Sequence, residues 1–369
     1  MNRSLLFVAV ALLLWGFGEG MFFNFVPIYL DNQFRLSESE IGLVLGAFGF
    51  SMAITHIPAG RLADRFGRRP LLLLAWLLGL ISALIMGLAR VLPLFLIGLF
   101  GYGLTAFVSS PLSSYVTAAR GKWPIGTVLS LTTATFAMGM VLGPITGGWI
   151  GDNYGMNVSF LVAAGLFVLS TVFIVLIERQ PIDHHDPEAP PMRLIHNQRF
   201  VILMGIMALA IFAMYLAQPL TPNFLEGVRG LSLSEAGIIF TAGALGNSMM
   251  AILLSRVHPR LGFLFAQGLV ILFALLIWQG SSLPIYALGY LLLGGFRAAR
   301  PMALAQAHEL IHDSQMGVSY GVFETVNAVI FILTPPLAGV LFERDPMILY
   351  PLSIGLTAIS ILVSYLFSP

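Results

Sequence analysis

Residues 60–70 read Gly60-Arg61-Leu62-Ala63-Asp64-Arg65-Phe66-Gly67-Arg68-Arg69-Pro70, a basic interruption between apolar runs at 39–60 and 70–89. Crossing a bilayer takes roughly 20 apolar residues, so the interruption is a connection between two spans. Twelve such runs follow one another, at about 5–31, 39–60, 70–89, 93–118, 123–150, 157–177, 200–226, 233–255, 261–280, 284–306, 316–342 and 347–367. The breaks between them fall at polar or Pro/Gly-rich stretches. Composition agrees: 58% of residues are hydrophobic, 9% are charged and the mean hydropathy is +0.91. A soluble domain carries about 25% charged residues, so a soluble enzyme or a nucleic-acid-binding module is excluded. The net charge of +1, with no basic or acidic tail, offers no surface for a polyanion. Without cysteine there is no disulfide framework, thiolate metal site or cysteine nucleophile. The first run, behind Arg3, stays apolar to Leu30 and lacks an A-x-A pattern, so it reads as a retained helix rather than a signal peptide.

Alternation of the spans sorts the basic residues by side. Arg3, Arg61, Arg65, Arg68, Arg69, Arg120, Lys122, Arg179, Arg193, Arg199, Arg256 and Arg260 share the side of the N-terminus, against Arg35, Arg90, Arg229 and Arg344 on the other. The positive-inside rule then puts both termini in the cytoplasm.

The chain also repeats itself. Shifted by 195 residues, positions 27–42 match seven of sixteen, including Pro27/Pro222, Ser37/Ser232, Glu40/Glu235 and Gly42/Gly237. Chance gives about one identity in such a window, so duplication is the better account. At the same shift Arg61, Arg65 and Gly67 meet Arg256, Arg260 and Gly262. Ser37-x-x-Glu40 and Ser232-x-x-Glu235 read as capping boxes opening two helices. The expected organisation is a six-helix bundle at 1–177, a cytoplasmic linker at 178–199 and a second bundle at 200–369. Such parallel repeats suit alternating exposure of a site at the midplane. The linker is polar, with four prolines, and its His184, His185 and Asp186 read as solvated rather than as a metal site.

The stretch at 60–70 resembles the signature loop of the major facilitator superfamily, and the twelve spans and six-plus-six repeat extend that resemblance to essentially the whole chain. It implies an all-helical fold of two pseudo-symmetric bundles. It also implies a conformational gate at Gly60, Asp64, Arg65, Gly67, Arg68 and Arg69, with Asp64 meeting a helix end across the bundle interface. The second copy, Arg256-Val257-His258-Pro259-Arg260, has lost the aspartate. In span five, Gly139, Gly143, Pro144, Gly147 and Gly148 form a helix-packing motif similar to that of the drug/proton antiporter branches. Glycines four apart allow close helix approach, and the proline bends the span. Those antiporters often carry an arginine in span four where this chain has Ile97, so that coupling role has no matching residue.

Charges within spans are costly and each is a functional hypothesis. Glu19, set in Gly16-Phe17-Gly18-Glu19-Gly20, is a candidate proton carrier, and Glu324 is a second. Arg297 and Arg300 share one face of span ten. At 1.5 Å per residue, Arg300, Arg297 and Glu324 lie about 9, 13 and 12 Å deep, which permits an arginine–glutamate pair without choosing the arginine. In the family, spans one, four, seven and ten line the cavity. The expected substrate cavity is therefore Arg297, Arg300, Trp15, Phe22, Tyr102, Tyr215, Gln218 and Tyr290, beside Phe23.

One motif points elsewhere. His308-Glu309-Leu310-Ile311-His312 matches H-E-x-x-H, the zinc-protease pattern, but no histidine follows to supply a third ligand and the motif falls in a short loop. The sequence therefore reads as a secondary transporter, not an enzyme, exporting amphiphilic small molecules in exchange for protons. The alternative is proton-coupled transport of an anionic metabolite, sugar or lipid-like substrate at Arg297 and Arg300. No cofactor, metal or nucleic acid is expected; the partners are small-molecule substrate, protons and the lipid bilayer. The expected place is a bacterial plasma membrane, and family resemblance implies a monomer.

Overall fold

The computed structural model describes residues 3–179, 197–254, 256–308, 310 and 316–367, and of residues 56–66, 126, 308 and 316–320 the backbone alone. Among the described residues the fold is all-helical. In chain order the helices are α1 (Arg3–Phe22), α2 (Val26–Phe34), α3 (Glu38–Phe66), α4 (Arg68–Leu88), α5 (Leu92–Leu104), α6 (Ser109–Ala119), α7 (Ile125–Tyr154) and α8 (Met156–Val175). After the linker come α9 (Gln198–Tyr215), α10 (Thr221–Asn223), α11 (Leu233–Leu254), α12 (Pro259–Gln279), α13 (Leu283–His308), α14 (Met316–Arg344) and α15 (Leu349–Phe367). By length and composition 10 candidate spans stand among the described residues. The long helices α3 and α13 take the second and tenth places and complete the expected twelve. Of the expected linker only Glu178, Arg179 and residues 197–199 are described; His184, His185 and Asp186 lie outside.

Among the described residues three spans are not continuous α-helix, and each break precedes a proline. Span one passes through a 3₁₀ turn at Phe23–Phe25 before Pro27, and span four through one at Thr105–Val108 before Pro111. Span seven breaks after Tyr215 and restarts at Thr221-Pro222, followed by a π-helical turn at Phe224–Val228. A proline lacks the N–H for the ladder and its ring presses on the carbonyl four residues earlier, which accounts for each position. By contrast α7 runs unbroken through Pro144.

The connection expected over 60–70 is far shorter than the sequence suggested. Helix α3 continues to Phe66, and Gly67 alone, at φ 82°, separates it from α4. Only glycine adopts that backbone without strain, so one residue turns the chain. The repeat register changes at the matching place in the second half. α11 begins 195 residues after α3, but α12 begins 191 residues after α4 and α13 191 after α5. Four residues are missing from the second connection, so Arg69, not Arg65, is the counterpart of Arg260.

The chain forms two compact units. Unit 1 is Met1–Phe34, Ala47–Asp186 and Ser232–Thr241; unit 2 is Arg35–Gly46, Pro187–Leu231 and Ala242–Pro369. In unit 1, α1 packs on α7 and α8, and α4 on α5 and α8. The α1–α7 contact is built on glycine: a Cβ at Gly139 would overlap the Leu13 carbonyl, one at Gly143 the Gly20 backbone, and one at Gly147 the Met21 carbonyl. Lipid tails are as apolar as leucine, so this close van der Waals fit, rather than water exclusion, holds the helices together. Ser170 adds a polar tie, donating to the Ala11 carbonyl at 2.7 Å while accepting from Trp76 Nε1 at 2.7 Å. In unit 2, α12 packs on α13 and α15, and α9 on α15 and α14.

Candidate functional site

Glu19 sits in the last turn and a half of α1, and its neighbouring glycines all serve packing. Gly16 and Gly20 face α7, and Gly18 faces Phe167 of α8. That leaves the carboxylate directed toward α5. Trp15, one turn earlier, donates from Nε1 to Glu19 Oε2 at 3.2 Å, and the Tyr102 hydroxyl donates to the same oxygen at 2.7 Å. An indole N–H only donates, whereas a phenol both donates and accepts, so Tyr102 can follow a change of protonation and Trp15 cannot. Tyr102 also stands just before the 3₁₀ turn in span four, which ties the carboxylate to the break in another helix.

Aromatic rings wall this group. Trp15 stacks on Phe167 with centroids 4.1 Å apart and lies 5.1 Å from Trp76. Phe22 is fully buried, edge-on to Tyr102 and packed on Phe160. Phe23 meets Phe48. The residues that the sequence singles out for proton and substrate are thus brought together only in part: Glu19, Trp15, Phe22 and Tyr102 form one cluster in unit 1.

The remaining candidates lie in unit 2. Arg300 makes the ion pair with Glu324 and also lies over the Phe323 ring. Both partners of the pair are about half exposed, with side-chain exposures of 56% and 45%. Tyr215 stacks on Phe296 and meets Phe331 edge-on. Gln218 folds back to donate to the Met214 carbonyl at 2.7 Å. Tyr290 is buried edge-on against Phe273.

Of the expected gate, the side chains of Gly60, Asp64 and Arg65 lie outside the described residues. Gly67 makes the turn, and Arg69 donates to the Val175 carbonyl at 2.7 Å, the C-terminal end of α8. Arg260 repeats this on the Tyr365 carbonyl near the end of α15, also at 2.7 Å. A guanidinium at a helix C-terminus satisfies an orphan carbonyl and complements the dipole. The H-E-x-x-H motif falls on residues whose side chains are not described: Glu309 and His312 lie outside, and of His308 only the backbone is described.

Sequence reading missed two acids. Asp152, at the end of α7, accepts from the amides of Leu233 and Ser234 at 3.0 and 2.8 Å; Glu343, at the end of α14, accepts from the Ser39 amide at 3.0 Å. The signal for them is Pro144-x-x-x-Gly148-x-x-x-Asp152 and Pro335-x-x-x-Gly339-x-x-x-Glu343, legible only at the 191-residue shift.

Comparison with known proteins agrees with this architecture. Residues 8–335 match the model of the Major Facilitator Superfamily. The chain is 24% identical over 348 residues to Multidrug resistance protein 2 of Bacillus subtilis, covering 89% of this chain and 86% of that protein. It is 21% identical to Multidrug resistance protein 1 of the same organism, covering 93% and 91%. Its fold superposes on a mutant of the nucleoside transporter NupG with a TM-score of 0.82 at 13% identity, over 99% of this chain and 98% of that one. The chain belongs to the Major Facilitator Superfamily. It is a multi-pass membrane transporter of small molecules, not an enzyme.

Proposed function

We propose that this transporter exports amphiphilic small molecules in exchange for protons, with Glu19 as the proton carrier. The observation that carries the reading is the Glu19 carboxylate within span one, held by Trp15 and Tyr102 on one oxygen and walled by aromatic rings. A carboxylate in that setting binds a proton or the cationic end of a ligand, and competition between the two is the simplest exchange chemistry. The multidrug-resistance relatives support amphiphilic substrates. The excess of arginine and lysine on the side of the N-terminus supports cytoplasmic termini in a bacterial plasma membrane, and family resemblance supports a monomer. Glu324 belongs to the Arg300 ion pair in this account and carries no proton.

A second reading follows from Arg297, a charged residue within span ten: proton-coupled transport of an anionic metabolite, sugar or lipid-like substrate. Substrate-triggered pH change in proteoliposomes separates the two. Lipophilic cations that drive a protein-dependent proton counterflow, unchanged in Arg297→Ala, support export. Proton co-flow with organic anions alone, abolished in Arg297→Ala, favours the second reading.

A further inference from the structure

Helices α3 and α11 open with the same sequence, Ser-x-Ser-Glu, and solve the same problem in the same way. The first turn of a helix leaves amides without intrahelical partners. In α3 the Ser37 hydroxyl accepts from the Glu40 amide at 3.3 Å and the Glu40 carboxylate from the Ser37 amide at 2.8 Å; in α11 Ser232 and Glu235 do likewise at 3.2 and 2.9 Å. Both predicted capping boxes form. They leave the amides of the next two positions, and these are the ones taken by acids from elsewhere in the chain: Ser39 by Glu343, and Leu233 with Ser234 by Asp152.

The surroundings repeat as well. A Cβ on Gly42 would overlap the Pro335 carbonyl, and one on Gly237 the Pro144 carbonyl. One on Gly339 would overlap the Glu38 carbonyl, and one on Gly148 the Leu233 carbonyl. Proline, glycine and acid at four-residue steps therefore form one face that receives the start of a helix, used once in each unit. The two helices so received are the ones that the units divide between them. α3 begins in unit 2 and continues into unit 1 from Ala47, and α11 begins in unit 1 and continues into unit 2 from Ala242.

We infer that Asp152 and Glu343 are positioning residues of the transport cycle: two equivalent latches, one in each unit, that hold the starts of α11 and α3 and release together when the transporter changes access. Each latch consists of hydrogen bonds from a carboxylate to backbone amides, contacts that break and remake without chemistry. Because α3 and α11 are continuous rods crossing from one unit to the other, loosening either start is transmitted through a helix to the far unit. This rests on the transporter reading, but not on the choice of substrate or on Glu19.

The absence of native cysteine makes the test direct. Ile41 and Ala236 occupy matched positions behind the two latches and are both 0% exposed. A single cysteine is placed at either position (Ile41→Cys or Ala236→Cys), and its rate of labelling by a water-soluble maleimide is measured in membranes, with Asp152→Ala or Glu343→Ala added. Loss of a helix cap of ordinary strength shifts an opening equilibrium about fivefold. Either lesion is expected to raise labelling about that much at both reporters, and Asp152→Asn, which keeps one of the two accepting oxygens, to raise it less at both. A rise confined to the lesion's own unit, or no rise at all, would overturn the proposal, since a merely local cap frays only its own helix. If an alanine variant does not fold, Asp152→Ser and Glu343→Ser carry the same comparison. Altered substrate preference with unchanged labelling would touch the Glu19 account and would also count against the latches.

Discussion

The Tyr102 hydroxyl donates to Glu19 Oε2 at 2.7 Å across 83 residues of sequence, joining span four to span one at the one acidic side chain of α1. A hydrogen bond to a charged acceptor contributes about 1.5–3 kcal/mol where it is buried. Tyr102→Phe keeps the ring stacking and removes only the donor. Flux at a fixed proton gradient is expected to fall about tenfold or more, with thermal unfolding lowered by a few degrees. Equal flux in Tyr102→Phe would mean the hydroxyl takes no part.

The glycines of α7 and α8 divide by what faces them. Gly143→Ala drives a methyl into the Gly20 backbone, whereas a Cβ at Gly165 of α8 meets nothing within 4 Å. Overpacking of this kind costs about 1–3 kcal/mol, so Gly143→Ala should unfold several degrees earlier and Gly165→Ala at the wild-type temperature. Thermal unfolding in detergent, followed by intrinsic tryptophan fluorescence, reads the difference.

Arg69 and Arg260 cap the sixth helix of their respective halves. Replacing either with alanine removes one charged hydrogen bond at a helix C-terminus, a loss of about 0.3–1 kcal/mol at an exposed site. The two variants should be destabilised by similar amounts, and lysine at either place should recover part of it. An effect at Arg69 alone would show that its role is gating, without a structural counterpart in Arg260.

The Arg300–Glu324 pair is half exposed on both sides, and where water fills the cavity beside span ten its net contribution is small. A double-mutant cycle with Arg300→Gln and Glu324→Gln should give a coupling of no more than about 1 kcal/mol. Proton-coupled flux should survive Glu324→Gln. Its abolition there would move the proton from Glu19 to Glu324.

Much of this was legible in the residues. Apolar run length marks the spans, and the Ser-x-x-Glu spacing marks two helix starts that form as read. Prolines 27 and 222, matched by the repeat, mark equivalent breaks in spans one and seven. The limits are equally specific. A connection that looks like an eleven-residue polar loop is helical up to Phe66 because arginine and alanine favour helix and one glycine suffices to turn the chain. The 195-residue shift holds only through α11, so the acids at 152 and 343 and the arginines at 69 and 260 stay unmatched until the helix boundaries reveal the shorter connection. Which of two neighbouring arginines reaches Glu324 depends on the rotation of α13 against α14, and no local pattern encodes it. The two aromatic groups around Tyr102 and Tyr215 have the same origin, since helix packing rather than sequence spacing brings their rings together.

Replacing the Glu19 carboxyl by an amide decides whether this residue exchanges the proton. Wild-type and Glu19→Gln protein are reconstituted into proteoliposomes at equal density, and substrate-driven proton movement is recorded beside substrate exchange at zero proton gradient. Glu19→Gln is expected to lose proton movement while its fold and thermal stability persist. Proton counterflow at the wild-type rate in Glu19→Gln would contradict this.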